Sequence, residues 1–185
     1  MINLITIARY AEKKKGYDLI PKVAELIYKK TDFKWTIVGR GTQEILKFHF
    51  IREHKNNFNI IPEINDTVDS FFPSHLLIEI LKKNDLYLNL SRIESFGVTI
   101  IEAMAAGLPV ISFNTKGVNE LIVNQKNGFL IQENNFEEYA NKILSFANKK
   151  DYLEQKSFNK MYLKKFDLEE QVKIIINTYN ELKNS

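Results

Sequence analysis

Leu86-Tyr87-Leu88-Asn89-Leu90-Ser91-Arg92-Ile93-Glu94-Ser95-Phe96-Gly97-Val98-Thr99-Ile100-Ile101-Glu102-Ala103-Met104-Ala105-Ala106-Gly107-Leu108-Pro109-Val110-Ile111-Ser112-Phe113 is the stretch that decides the fold. It opens on a strand-length apolar run, Leu86–Leu90, and crosses a polar loop. A helix-length apolar segment follows, Val98–Ala106. Gly107-Leu108-Pro109 then stops the helix, because glycine accepts the turn and proline cannot continue the coil. Val110–Phe113 resumes as a strand. Strand, helix and strand in this order are the unit of a parallel sheet.

Working outward, the same alternation covers most of the chain. Strand-like runs lie at Ile2–Ala8, Phe33–Gly39, Phe58–Ile61, Leu86–Leu90, Val110–Phe113 and Gly128–Ile131. Their apolar character is nearly continuous, as expected of parallel strands covered on both faces. Helical patterns separate them at Tyr17–Lys30, Thr42–Lys55, Pro73–Lys83, Val98–Ala106 and Val118–Val123. From Asn135 onward the chain is helix-prone and rich in Lys, Asn and Glu, with helices expected at Glu137–Lys149, Asp151–Lys165 and Leu168–Lys183. The expected fold is α/β, a doubly wound parallel sheet of about six strands with extra C-terminal helices.

Composition narrows the classes of function. The 185 residues fit one domain. A net charge of +3 suits an anionic small ligand and falls short of the basic excess of a nucleic-acid binder. The absence of cysteine excludes disulfides, thiol catalysis and thiolate metal sites. No apolar run approaches the ~18 residues that span a bilayer. Met1-Ile2-Asn3-Leu4-Ile5-Thr6-Ile7 opens directly as a strand without a leader, and leads us to expect an excised domain.

In an open α/β sheet ligands bind beyond the carboxyl ends of the strands. Chemistry is therefore expected just after Ala8, Gly39, Ile61, Leu90 and Phe113. The loop after the first strand carries neither the dinucleotide-binding G-x-G-x-x-G nor a phosphate-binding G-x-x-x-x-G-K-[ST]. It offers Arg9 and Lys15 instead, a planar fork and a point charge suited to clamping a diphosphate. Lys13 and Lys14 are read as solvated. Glu102 is the one charge between Gly97 and Ser112, and a lone carboxylate in so apolar a helix needs pairing or hydrogen bonds, which sugar hydroxyls would supply; the other reading is a carboxylate favouring the helix dipole or a salt bridge. Gly97 at the helix start lets a ligand approach the backbone N–H groups and the positive helix end. Glu94 falls on the same rim.

Glu94 and Glu102, with Ser95-Phe96-Gly97 between them, resemble the E-x7-E motif of glycosyltransferase family 4 and its retaining relatives of GT-B fold. Glu102-Ala103-Met104-Ala105-Ala106-Gly107-Leu108-Pro109-Val110 is similar to that family's E-A-M-A-x-G-x-P-V run. Arg9 through Lys15-Gly16, the segment Ile37-Val38-Gly39-Arg40-Gly41 and the turn Asn127-Gly128-Phe129-Leu130 resemble further family elements in the expected order. Two features depart from the family pattern: Leu90-Ser91 stands where Pro-Ser is frequent, and Arg40 sits between the two glycines.

The resemblance implies a Rossmann-like C-terminal, donor-binding half of a GT-B enzyme that moves a hexose from a nucleotide-diphosphate sugar, with retention, to a saccharide or lipid-linked acceptor. It implies that Arg9 and Lys15 hold the diphosphate, that Glu94 faces the sugar, and that Glu102 accepts from the ribose. It also implies that Phe96, Gly97 and Val98 offer backbone N–H groups, and that Gly39 and Ile64 lie at the nucleoside. Arg9, Lys15 and Glu94 are the catalytic candidates. No metal or cofactor is expected, and the nucleotide sugar is the substrate. The acceptor-binding N-terminal half of a parent chain is the expected partner, with no nucleic acid and with membrane contact only through that missing half. The expected setting is cytoplasmic, or peripheral at the inner face of a bacterial membrane, in polysaccharide or glycolipid synthesis. Residues 1–185 are one domain, whose last stretch, 166–185, is a helix that crosses to the other half in such enzymes. Its Ile174, Ile175, Ile176 and Tyr179 would expose apolar surface and promote self-association. The alternatives are a non-catalytic nucleotide-sugar-binding module and another GT-B enzyme such as a nucleotide-sugar 2-epimerase.

Other signals carry less. His49, His54 and His75 have no metal-ligand spacing, and no D-x-D is present. Trp35 is read as core, the Lys149-Lys150 and Lys164-Lys165 pairs as surface charge. Asn119-Glu120 is read either as a sugar contact or as a helix cap.

Overall fold

Runs of β-branched and large apolar residues form the strands where the sequence places them. The computed structural model describes residues 1–64, 75–123, 125–146, 162–167, 169–170, 172–173 and 176–177. Its strands are β1 (Ile2–Ile7), β2 (Phe33–Val38), β3 (Phe58–Ile61), β4 (Leu86–Asn89), β5 (Val110–Phe113) and β6 (Gly128–Ile131). All neighbouring pairs are parallel. The order β3-β2-β1-β4-β5-β6 is that of a doubly wound, Rossmann-like sheet. Three strands stop one residue short of the expected ends at Ala8, Gly39 and Leu90, which leaves those residues to the loops.

Helices cover both faces. The helices are α1 (Ile20–Tyr28), α2 (His49–Glu53), α3 (His75–Lys82), α4 (Val98–Ala105) and α5 (Phe136–Phe146). Pro21 occupies the first turn of α1, where a missing N–H costs nothing. The buried stripe Ile20, Val23, Ala24, Ile27 repeats at helical spacing and packs with Tyr139, Ala140, Ile143 and Phe146 of α5. The Asn135 side chain caps α5, accepting from the Glu138 N–H at 3.2 Å. Together α1 and α5 cover the face that presents Leu4, Trp35, Leu88 and Ile111. Residues from α3 and α4 cover the other face, which presents Ile5, Val38, Tyr87 and Val110.

Trp35 is fully buried, as read, and its indole N–H donates to the Thr6 hydroxyl at 3.1 Å. Thr6 in turn donates to the Leu88 carbonyl at 2.9 Å, linking β2, β1 and β4 through one buried polar chain. At the opposite end of the central pair, Asp85 accepts from the Asn3 backbone N–H at 2.8 Å.

Two expected helices are corrected. Thr42–Lys55 is broken into a 3₁₀ turn (Thr42–Lys47), α2 and a second 3₁₀ turn (Lys55–Asn57). Phe48 interrupts it in an extended conformation, packing its ring on the core while Arg52 caps the carbonyls of Leu46 and Lys47. Val118–Val123 is a run of turns, not a helix. Buried Asn127 ends it by accepting from the Val123 N–H and donating to the Leu121 carbonyl. Asn119 and Glu120 are exposed in that turn, so the helix-cap reading lapses. Tyr17–Lys30 and Pro73–Lys83 hold as α1, preceded by a 3₁₀ turn at Tyr17–Leu19, and α3.

Part of the expectation lies outside the described residues. This applies to Pro73 and Ser74 of the expected Pro73–Lys83 helix, to residues 147–149 of Glu137–Lys149, to most of Asp151–Lys165 and Leu168–Lys183, and to Ile174, Ile175 and Tyr179. What is described there includes a 3₁₀ turn at Leu163–Phe166 and the Tyr162 hydroxyl, which donates to the Glu120 carbonyl at 3.0 Å. Val172 and Ile176 are exposed. Among the described residues no helix is long and apolar enough to cross a membrane.

Gly16 carries the tightest contact between loops. It adopts φ +69°, and a Cβ there would sit 2.0 Å from the Leu90 carbonyl oxygen. Gly41 has a similar φ of +77°, but its Cβ would meet only the Tyr10 Cβ at 3.2 Å. Gly41→Ala should cost about 1–2 kcal/mol and Gly16→Ala about 3 kcal/mol or more, read as urea-unfolding midpoints. Equal losses would show that the backbone contact at Gly16 is not close.

Candidate functional site

The strand order reverses between β1 and β4, which are neighbours in the sheet. The helix after β1 packs on one face and the helix after β4 on the other, so the two loops part and leave a crevice. A cleft of about 310 Å³ opens there, lined from one side by Ile7, Ala8, Arg9 and Lys15 and from the other by Glu94, Ser95, Phe96, Gly97, Val98 and Thr99. Of the nine expected site residues, Arg9, Lys15, Glu94, Phe96, Gly97 and Val98 line this one cleft.

The loop after β1 is a compact turn. Tyr10 N–H bonds the Arg40 carbonyl at 2.8 Å, and Lys15 N–H bonds the Ala11 carbonyl at 2.8 Å. Arg9 is exposed at the strand end, with no ion-pair partner among the described residues. Lys15 reaches across the cleft to Glu94, with Nζ 2.7 Å from Oε2 and the side chains 18% and 15% exposed. The resemblance assigned these two residues to different parts of a donor. The structure joins them in an ion pair, so each holds the other's long side chain in place.

Gly97 caps α4 at φ +81°, and no side chain caps the first turn. The Ile100 N–H makes the first bond of this turn, to the Gly97 carbonyl at 2.9 Å, so the Val98 and Thr99 N–H groups precede the bonded part of the helix, at the cleft that these two residues line. Tyr87 fixes this end of the helix. Its hydroxyl donates to the Thr99 Oγ1 at 2.8 Å and lies 3.3 Å from the Ile7 carbonyl. Burial pushes the Tyr87 hydroxyl well above the usual range, with Glu94 and Glu102 adding to the rise, so it remains a donor.

Glu102 does not line the cleft; it follows Val98 and Thr99 by one helical turn on the same side. Its residue is 8% exposed. Neither carboxylate oxygen has a hydrogen-bond partner among the described residues. Burial raises its pKa from the ordinary 4.5 to about 7. A buried acceptor pair without donors among the described residues is costly, and the raised pKa expresses that cost.

Gly39 and Ile64 are not brought to the cleft. Gly39 sits where β1 and β2 end together, and a Cβ there would lie 2.2 Å from the Ala8 carbonyl oxygen, so its place in the fold is a close backbone approach. Ile64 is half-buried against the core on the α3–α4 face. Among the described residues no group of His, Cys, Asp or Glu is gathered in a way that could hold a metal ion.

Sequence reasoning missed two features. One is Tyr87, whose polar tip between Leu86 and Leu88 was the available signal. The other is an ion pair between Arg92 and Asp18, at 2.8 Å, behind Lys15 and Glu94. Burial opposes the Asp18 charge, but Arg92 and Lys13 outweigh it and hold the carboxyl below its usual range.

Comparison with known proteins adds to this geometry. The family model described as glycosyl transferases group 1 matches residues 2–164. An uncharacterized glycosyltransferase of Haemophilus influenzae is 31% identical over 160 residues, which are 84% of this chain and 42% of that protein. A poly(ribitol-phosphate) alpha-N-acetylglucosaminyltransferase of Staphylococcus aureus is 31% identical over 136 residues, 72% of this chain and 26% of that protein. The pneumococcal O-GlcNAc transferase GtfA, crystallised with UDP and GlcNAc, matches with a TM-score of 0.77 at 23% identity, over 100% of this chain and 36% of its own. The chain spans less than half the length of each.

Glu102 makes a signed prediction. Its folded pKa lies above the unfolded value, so the fold holds the proton more tightly and stability falls as pH rises from about 4.5 to about 7. Glu102→Gln should remove that slope and raise Tm at pH 8 by a few degrees, each kcal/mol being worth about 2–4 °C at this size. Thermal melts from pH 5 to 8 on both proteins check it; parallel curves would show that Glu102 is satisfied in solution.

Proposed function

The chain belongs to the glycosyl transferases group 1 family, and on that footing we propose that it is the donor-binding half of a retaining glycosyltransferase, moving a hexose from a nucleotide-diphosphate sugar to a saccharide or lipid-linked acceptor. One observation carries the proposal: the buried Glu102 carboxylate, with both oxygens unpartnered, one turn behind a cleft flanked by Arg9 and Lys15. Two acceptors in want of donors suit the vicinal hydroxyls of a ribose. The cations suit the diphosphate attached to it. The complex of the pneumococcal transferase with UDP and GlcNAc supports a nucleotide sugar as the ligand of this fold, and makes UDP the first nucleotide to try.

Each residue then has a task. Arg9, exposed and without an ion-pair partner among the described residues, meets the diphosphate first and neutralises charge as the nucleotide departs. Lys15 turns from Glu94 toward the same oxygens. Glu94, released or shared, accepts from hydroxyls of the transferred sugar. The N–H groups of the first turn of α4 add positive potential at the phosphate. No side chain need form a covalent intermediate, because the barrier is lowered by positioning and by stabilising the leaving group. The acceptor is bound by the part of the parent that lies outside these residues, so the isolated chain has negligible transferase activity.

The test is a titration with UDP, GDP and ADP and their sugar forms, followed by melting temperature. A ligand at a hundredfold excess over its Kd stabilises by about 2.7 kcal/mol. One nucleotide should stabilise the wild type and fail with Arg9→Ala and Glu102→Ala. Because the ligand needs the ionised carboxylate, its affinity should be about tenfold weaker at pH 6 than at pH 8, a dependence absent in Glu102→Gln. Binding that strengthens toward low pH would overturn the assignment of Glu102 to ligand hydroxyls.

A further inference from the structure

We propose that Asp18 and Arg92 form a positioning clamp that fixes the loop after β1 against the loop after β4, so that Lys15 and Glu94 meet across the cleft. The proposal rests on the donor-site reading for its purpose, but its geometry stands on its own. Arg92 and Asp18 are joined by two parallel bonds, 2.8 Å from Nη1 to Oδ1 and 3.1 Å from Nη2 to Oδ2. The same Nη1 donates to the Lys13 carbonyl at 2.6 Å. Main-chain bonds complete the join: the N–H groups of Arg92 and Ile93 both reach the Lys14 carbonyl, at 3.0 and 3.4 Å. The anchor therefore touches the residues directly before Lys15 and directly before Glu94.

The pair lies apart from the cleft itself, which neither residue lines. It is also well sheltered, with side chains 11% and 24% exposed, whereas the neighbouring Lys13 is 77% exposed and adds a looser contact to Asp18. Such shelter distinguishes it from a surface ion pair of negligible worth. Only an arginine can span this set, since a bidentate carboxylate contact and a carbonyl contact need the rigid planar fork.

A clamp is needed because the residues it serves are flexible. A lysine side chain loses up to about 2 kcal/mol of rotamer entropy on being held. If the loops also had to be ordered at each binding event, that cost would be subtracted from ligand affinity. Holding the loops in advance leaves only the side-chain rearrangement to the ligand. Arg92 and Asp18 touch no substrate in this scheme; they act through Lys15 and Glu94.

The experiment reads Lys15 directly, without any ligand. The 185-residue chain is treated briefly with an amine-acylating ester, and labelling of each lysine is measured by mass spectrometry. Glu94→Gln sets the value for a Lys15 without its partner. Arg92→Gln should raise Lys15 labelling severalfold toward that value, with Lys126 and Lys34 unchanged. Arg92→Lys, which keeps the charge but loses the fork, should fall between, and it serves in place of Arg92→Gln if that variant does not fold. A folded variant in which Lys15 labels as in the wild type overturns the clamp. A parallel rise at all lysines, with Lys15 not singled out, also overturns it, because it reports a general stabilising role. Protection of Lys15 by UDP, GDP or ADP in the wild type is a separate arm. Absence of protection counts against the donor-site reading alone and leaves the comparison between variants standing.

Discussion

The rest of the structure depends on one constraint: β1 and β4 are adjacent in the sheet, yet their following helices leave toward opposite faces. Elsewhere a parallel sheet covered on both sides closes over its own strand ends. Here the divergence leaves a gap that no helix among the described residues fills, with Arg9 and Lys15 on one lip and Glu94 on the other. The buried Trp35–Thr6–Leu88 chain and the Asn3–Asp85 bonds hold β1 and β4 in register from either end. The strand ends from which the two lips depart are therefore fixed relative to each other.

Order at the strand ends is matched by an unmet need at the wall. Glu102 sits in an apolar helix whose other buried residues are Ile100, Ala103 and Met104, with neither oxygen satisfied among the described residues. A residue that violates the rules of packing in an otherwise consistent core is where function is expected to have been bought with stability. Lys15 and Glu94 show the milder form of the same compromise, since each occupies the other until something competes.

Most of the fold could be read from the chain because parallel strands are continuous apolar runs, and those runs do not depend on what packs against them. The strand Val110–Phe113 was legible at both ends from Pro109 and the polar residues beyond Phe113. Helix limits failed where a distant side chain decided them: Phe48 turning inward, and Asn127 reaching back to close the Val118–Val123 turn. Arg9, Lys15 and Glu94 could be singled out because a strand's carboxyl end is known from its sequence, and Glu102 because it is the one charge in an apolar helix. The contact of Lys15 with Glu94, 79 residues away, could not, and nor could that of Arg92 with Asp18, 74 residues away. Such pairs follow from the sheet order, which periodicity does not reveal. Gly39, placed at the nucleoside by resemblance alone, also has a structural duty that periodicity does not reveal, which is to let two strand ends touch.

The Asn3–Asp85 contact spans 82 positions, and it marks the seam on which the crevice is built. The β1–β2–β3 half can pair locally as it is made, and so can β4–β5–β6. Bringing the halves together closes the longest loop in the sheet, and it is the slow, entropically expensive event in reaching such a topology. The cleft has one wall from each half, so neither half holds it alone. The cleft therefore exists only where the seam is closed: a chain in which β1 and β4 are unpaired carries all of its lining residues and none of its shape.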